Sequence, residues 1–221
     1  MKLLLTSSGI KNATLTKSLS QLLGKSFEES SVIFIPTAAN MEIGDKGWLI
    51  DNLVDLQKLN FKQIDIVDIS ALPEDVLKSR LMEADVLVFG GGSPYYLMEW
   101  LNRSNLTNFL PKLLKNKVYV GISAGSMVVC PDLALRPSQI LYEEDLDRKT
   151  EMQGLNLVHF HFLPHLNSEY FLKLRKENIE SAIVGMKNKI YAADDESAIM
   201  VADGKVEIVG EGECLMFDNV V

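Results

Sequence analysis

Histidine and cysteine are scarce in this chain: three histidines, at 159, 161 and 165, and two cysteines, Cys130 and Cys214, in 221 residues. Two cysteines make no disulfide framework, and with no Cys-x-x-Cys pair they supply neither a zinc knuckle nor a dithiol redox centre. A reducing cytoplasm is the expected setting. Long apolar runs are also missing. The opening MKLLLTSSGIKN holds three successive leucines before turning polar, which reads as a first strand rather than a secretory leader. No run approaches the roughly 18 apolar residues of a membrane helix, so no membrane partner is expected. Basic residues are in deficit, 22 Lys and Arg against 30 Asp and Glu, for a formal net charge of −8. Such a chain gains nothing by displacing counterions from a phosphate backbone, which argues against a nucleic-acid partner. Repeats, low-complexity stretches and Pro/Gly/Ser-rich linkers are absent, so 1–221 is expected to be one domain.

What is present alternates. Short apolar runs rich in β-branched residues stand at Leu3–Leu5, Val32–Ile35, Ile64–Val67, Val86–Phe89, Val118–Ile122 and Leu157–Leu163. Runs of this kind suit strands buried on both faces. Amphipathic stretches separate them, with one stripe at Leu15, Leu19, Leu22 and Leu23 and part of another at Leu49, Leu53 and Leu56. Strand–helix alternation to about residue 185 predicts an α/β fold, a mostly parallel sheet with helices on both faces. The tail differs: Ser197–Val201, Val206–Val209 and Glu213–Phe217 flank the turn Ala202-Asp203-Gly204-Lys205, which predicts a small antiparallel extension at the sheet edge.

Sites in open α/β sheets form at the carboxyl ends of strands, and three places qualify. The first is VYVGISAGSMVVCP, residues 118–131, where Gly121-Ile122-Ser123-Ala124-Gly125 falls between a strand and a short apolar helix. A G-x-S-x-G turn in that context exposes a serine hydroxyl and directs helix N–H groups toward it. Ser126, one turn on, is expected to be structural. The second is Gly90-Gly91-Gly92-Ser93-Pro94 after the strand at 86–89. Ser93 suits an N-cap and Pro94 the first helical position, while the glycines leave N–H groups bare for an anion or an oxyanion. Neither nucleotide fingerprint is met, because Tyr95 occupies the third glycine position of G-x-G-x-x-G and no Gly-Lys-Ser/Thr follows. No cofactor is expected. Tyr95, Tyr96 and Trp100, on the helix that follows, serve either the core or a homodimer interface.

The third place is LNLVHFHFLPHLNSEY, which holds every histidine. His159 and His161 alternate along a strand and are expected to be half-buried structural residues; His165, after Pro164 at the strand end, is the candidate base. A metal hydrolase built on His159, His161 and His165 is the alternative chemistry, although no H-E-x-x-H pattern supports it. A second alternative is a non-catalytic protein of the same fold that binds a small anion through the glycine loop. A histidine base needs a carboxylate to orient it. Asp194-Asp195-Glu196, after Ile190–Ala193, lies at a strand end, whereas Asp145 and Asp147 lie in the charged LYEEDLDRK. The order Ser, acid, His of α/β-hydrolases would need Asp145 or Asp147; the order Ser, His, acid uses Asp195, and substantial α/β material precedes Ser123, which favours the second.

Gly-Gly-Gly-Ser at 90–93, Gly-Ile-Ser-Ala-Gly at 121–125 with Cys130-Pro131 behind it, Pro164-His165, and SVIFIPTAAN near the front together resemble the peptidase E and cyanophycinase family of serine peptidases. The resemblance implies a fold like class I glutamine amidotransferases, with Ser123 as nucleophile and His165 as base. It places the acid, usually Glu in the family, on Asp195 by the Ala-Ile-x-Val and Asp-Gly that follow, with Glu196 as the alternative. Gly91 and Gly92, with the Ala124 N–H, would hold the oxyanion, and the substrate would be a short peptide. Arg175 matches an arginine that reads a substrate aspartate, but the family's Asn-Asp-Met-Pro stretch has no counterpart, Pro137-Ser138-Gln139-Ile140 standing there instead.

Overall fold

The computed structural model describes residues 1–218; positions 219–221, part of the expected domain, lie outside it. Along the chain run β1 (Lys2–Thr6), α1 (Ala13–Leu23), β2 (Ser31–Ile35), α2 (Gly47–Lys58), β3 (Gln63–Ile66), α3 (Glu74–Glu83) and β4 (Val86–Phe89). Then follow α4 (Pro94–Arg103), α5 (Leu106–Leu113), β5 (Val118–Ile122), α6 (Ala124–Met127), α7 (Leu135–Pro137), β6 (Phe160–Leu163) and α8 (Lys176–Ala182). The chain continues through β7 (Lys189–Ala193), β8 (Ser197–Ala202), β9 (Lys205–Gly210) and β10 (Cys214–Phe217).

The apolar runs become strands because both of their faces are covered, except at β3, where the run expected to be buried on both faces forms the sheet edge and leaves Ile66 51% exposed. Leu3, Leu5, Ile33, Ile35, Leu87, Phe89 and Tyr119 point to one side, where Leu77, Leu81, Leu97, Leu101, Leu106 and Leu110 of α3, α4 and α5 meet them. Leu4, Val32, Phe34, Val86, Val88, Val118 and Val120 point to the other, against Leu15, Leu19 and Leu22 of α1 and Leu56 of α2. Burying one such side chain contributes about 1.5–3 kcal/mol, so these two layers, rather than helix propensity, carry the architecture. Helix ends follow local chemistry. The Asn12 side chain accepts from Leu15 N–H at 2.9 Å to start α1, and Ser93 accepts from Tyr96 N–H at 3.2 Å to start α4, with Pro94 in its first turn. Tyr95 is fully buried in the core, with the Arg148 guanidinium over its ring at 4.2 Å.

The main sheet has the order β3-β2-β4-β5-β1-β8-β9. The first five strands are parallel; β8 runs antiparallel to β1 and β9 antiparallel to β8. The hairpin turn forms as expected, with Asp203 and Gly204 both at positive φ (50° and 82°), the combination a two-residue turn needs to follow strand twist. Two further details differ from the sequence reading. The strand expected at Leu157–Leu163 covers only Phe160–Leu163, because Leu155, Asn156 and Leu157 donate their N–H groups to Val128, Cys130 and Val129 in the segment after α6. It also lies in a separate sheet of order β10-β7-β6, where β6 and β7 are parallel and β10 is antiparallel to β7. The tail is therefore divided: β8 and β9 extend the main sheet and β10 joins the second. Among the described residues no helix is long and apolar enough to cross a membrane.

The turn from β5 into α6 is the tightest packing in the fold. A Cβ on Gly121 would sit 2.7 Å from the Gly125 carbonyl oxygen and from Ser126 Cα, and one on Gly125 would overlap the Phe89 carbonyl. The Gly125 carbonyl also accepts from the Tyr119 hydroxyl at 2.6 Å, and the Tyr119 ring stacks on Phe89 with centroids 4.8 Å apart. Gly125→Ala should therefore destabilise the protein by at least about 3 kcal/mol, since a main-chain carbonyl cannot swing aside. Urea unfolding of that variant beside Gly47→Ala, where φ is not left-handed and a Cβ would meet nothing closer than the Asp45 side chain at 3.5 Å, checks it, the second losing far less.

Candidate active site

The carboxyl ends of β1, β4, β5, β6 and β7 converge on one cleft. Ser123, between β5 and α6, has φ 49° and ψ −111°, a conformation that L-residues avoid. Its N–H donates to the Thr6 carbonyl at 3.0 Å, and Ser126, buried one turn on, donates its hydroxyl to the same carbonyl at 2.8 Å. Ser126 thus splints the elbow to β1 while Ser123 is left facing the cleft.

His165 also has positive φ, 66°, and two contacts hold it there. Its N–H donates to Ser7 Oγ at 3.0 Å, and Ser7 Oγ donates to the Ala193 carbonyl at 2.8 Å. One buried hydroxyl so ties the end of β1, the end of β7 and the second residue after β6. The imidazole stacks on Phe171 with centroids 4.9 Å apart. Nε2 lies 3.0 Å from Ser123 Oγ and Nδ1 lies 2.7 Å from Asp195 Oδ1. The three acids after β7 diverge. Asp194 accepts from the N–H groups of Glu196 and Glu213, Asp195 turns to His165, and Glu196 accepts from the Asn12 amide at 2.9 Å. Burial pushes the Asp195 carboxyl up, but the His165 hydrogen bond and charge, the Ser8 hydroxyl and the Lys11 charge outweigh it and hold the group below its ordinary value.

Over the serine lies the glycine loop. Gly92 has φ 121°, and a Cβ there would overlap the Ala38 carbonyl; a Cβ on Gly91 would be 3.4 Å from Ser123 Cβ. Gly90 donates to Ile35 and Ser93 to Ala38, whereas the Gly91 and Gly92 N–H groups have no acceptor among the described residues. The cleft, about 700 Å³, is also lined by Trp48, Asn52, Met127, Tyr142, Glu144 and Tyr170. The Glu144 residue is exposed as a whole, but desolvation of its carboxyl, with the charges of Glu42 and Asp145, pushes that group up to about 7.

Other sequence candidates lie elsewhere. Arg175 donates to the Leu174 and Ser168 carbonyls, both at 3.0 Å, and does not line the cleft. Asp145 pairs with Arg148 and Ser138 rather than with a histidine. The three histidines do not converge: His159 is exposed ahead of β6, and His161 is buried with Nε2 2.9 Å from Asp132. Among the described residues no group of three His, Cys, Asp or Glu could hold a metal ion. Sequence reasoning passed over Ser7, although it stands immediately after β1, where the strand-end rule directs attention. It had no signal for Phe171 or Glu144, which reach the cleft from irregular segments.

Comparison with known proteins identifies the family. The family model for peptidase family S51 matches residues 3–209. The chain belongs to peptidase family S51. It is a serine peptidase, a hydrolase of peptide bonds. Among its relatives, an uncharacterized peptidase of Listeria innocua is 27% identical over 211 residues, covering 89% of this chain and 95% of the relative. A peptidase E of Shewanella putrefaciens is 25% identical over 191 residues, covering 84% and 76%. The solved structure of a candidate peptidase E from Listeria monocytogenes superposes with a TM-score of 0.77 at 22% identity, over 96% of this chain and 98% of that one, which establishes the shared fold.

Two outcomes follow. Ser7→Ala leaves the His165 N–H without its acceptor and should cost about 1–2 kcal/mol of stability, with a drop in kcat and little change in KM. Paired denaturation and steady-state kinetics read both. Asp195, held below its ordinary value of 3.8, stabilises the fold above that pH and loses the contribution as pH falls through the lower folded value. The stability difference between wild type and Asp195→Asn should therefore be full at neutral pH and fade below about pH 4, as urea midpoints across a pH series would register.

Proposed function

We propose that this S51 peptidase cleaves short peptides through a Ser123–His165–Asp195 triad and an acyl-enzyme. The observation that carries the reading is the unbroken relay Asp195 Oδ1–His165 Nδ1 at 2.7 Å and His165 Nε2–Ser123 Oγ at 3.0 Å, both within hydrogen-bond reach. Asp195 accepts from Nδ1–H and so leaves the Nε2 lone pair facing the serine. As Ser123 Oγ attacks the scissile carbonyl carbon, its proton passes to Nε2 and the carbonyl oxygen takes up the negative charge. The bare N–H groups of Gly91 and Gly92, with that of Ala124 at the start of α6, are the donors for that oxyanion. The tetrahedral adduct collapses, the C–N bond breaks and His165 gives its proton to the leaving amine. Water, deprotonated by the same imidazole, then attacks the ester carbonyl, and the acyl group leaves with its new carboxylate as Ser123 recovers its proton.

A cleft of about 700 Å³ suits a peptide of a few residues. Arg175, engaged with main-chain carbonyls, lends no support to a preference for N-terminal aspartate. Ser123→Ala should lower kcat by a factor on the order of 10⁴–10⁶ while leaving the fold intact; turnover near that of wild type would overturn the mechanism. Asp195→Ala should lose far more activity than Glu196→Ala, because only the first carboxylate meets His165; equal losses would remove Asp195 from the triad. A fluorophosphonate should label Ser123 stoichiometrically. Unlabelled serine with retained anion binding would favour a non-catalytic role.

A further inference from the structure

The cleft that holds Ser123 is short of positive charge. Besides Asp195, its walls carry Glu42, Asp45, Asp51 and Glu144, against a single ammonium, Lys11, which is already paired with Asp55 at 2.8 Å. The acids differ in how they are satisfied. Asp45 accepts from the Gly47 N–H at 3.1 Å. In the run Glu143-Glu144-Asp145, Glu143 binds Lys173 at 2.7 Å and Asp145 binds Arg148 at 3.2 Å. The Glu144 carboxylate has no cation within ion-pair distance among the described residues, and its charged neighbours are Glu42 and Asp145. Glu42, half-buried ahead of α2, is likewise unpaired there, so two carboxylates from separate segments act on each other with no positive charge between them. Like charges so placed are unfavourable until a cation joins them.

A second observation, independent of charge, concerns the same walls. Trp48 and Tyr170 line the cleft while 38% and 91% exposed, large aromatic faces left open to solvent. Aromatic faces attract ammonium and guanidinium groups and pack against their alkyl stems.

We infer that the cleft selects peptides bearing a lysine or arginine side chain, with Glu42 and Glu144 taking the charged head and Trp48 and Tyr170 flanking its stem. The inference rests on the serine-peptidase reading of this cleft and names its substrate class. An aspartyl side chain in the same place would meet two carboxylates and no uncommitted cation.

The test is a panel of tripeptides in which Lys, Arg, Gln or Asp is placed in turn at each position. In wild type, kcat/KM for the best Lys or Arg peptide should exceed that of its Gln counterpart by about tenfold or more, with Asp lowest. In Glu42→Gln/Glu144→Gln the Lys-to-Gln ratio should fall about tenfold; a ratio is insensitive to any general loss of activity. Equal rates for Lys, Gln and Asp, a preference for Asp, or an unchanged ratio in the double variant would overturn the inference. Those results would leave the Ser123 chemistry standing, which wild-type turnover by Ser123→Ala would remove. Should no peptide of the panel be cleaved, tryptophan-fluorescence titration of Ser123→Ala with the same peptides decides. Lys binding about tenfold tighter than Asp upholds the inference, and equal or reversed affinities overturn it.

Discussion

The close approach of Gly125 to the Phe89 carbonyl sets the position of everything else in the cleft. Because no side chain fits between them, α6 begins directly against the end of β4, and the chain leaving β5 must reverse within one residue. That residue is Ser123, and its unfavourable backbone, worth about 1–3 kcal/mol of strain, persists because Thr6 holds its N–H and Tyr119 pins the Gly125 carbonyl. The same approach draws the β4 end, with Gly91 and Gly92, over the serine. Elbow serine and glycine loop are thus two sides of one packing constraint.

The other half of the site comes from the second sheet. His165 and Asp195 stand after β6 and β7, which pair with each other in parallel and not with the strand carrying Ser123. Alignment between sheets falls to Ser7. Its buried hydroxyl receives the His165 N–H and donates to Ala193, a neutral, directional bridge that costs little desolvation and adds no charge of its own beside the imidazole.

How far the sequence disclosed this depends on where each residue sits. Ser123, Gly91, Gly92 and His165 were legible because they stand immediately after runs buried on both faces, where the periodicity is unambiguous. Asp195 was separable from Glu196 only by family resemblance, since three adjacent acids look alike until the turn orients them. The second sheet was not legible: β6 is as apolar as a central strand, and nothing in Phe160–Leu163 says which strand it will pair with. Its shortened start was hidden for a related reason, as Leu155–Leu157 spend their N–H groups on carbonyls near residue 129, contacts with no local pattern. Glu144 and Tyr170 arrive from irregular segments, where side-chain direction has no period to betray it.

Asp194, Asp195 and Glu196 are the entire passage from the second sheet to the first. A passage that short is a strut rather than a hinge. With Asp194 clamped on Glu213 and Glu196 on Asn12, the two sheets cannot part at this point without pulling the carboxylate off His165. A more yielding border of the cleft is the segment joining His165 to α8, from which Tyr170 lines the cleft while standing open to solvent. Length changes in that segment would alter what enters; a single inserted residue between β7 and β8 would disconnect the Asp195 carboxylate from the His165 imidazole.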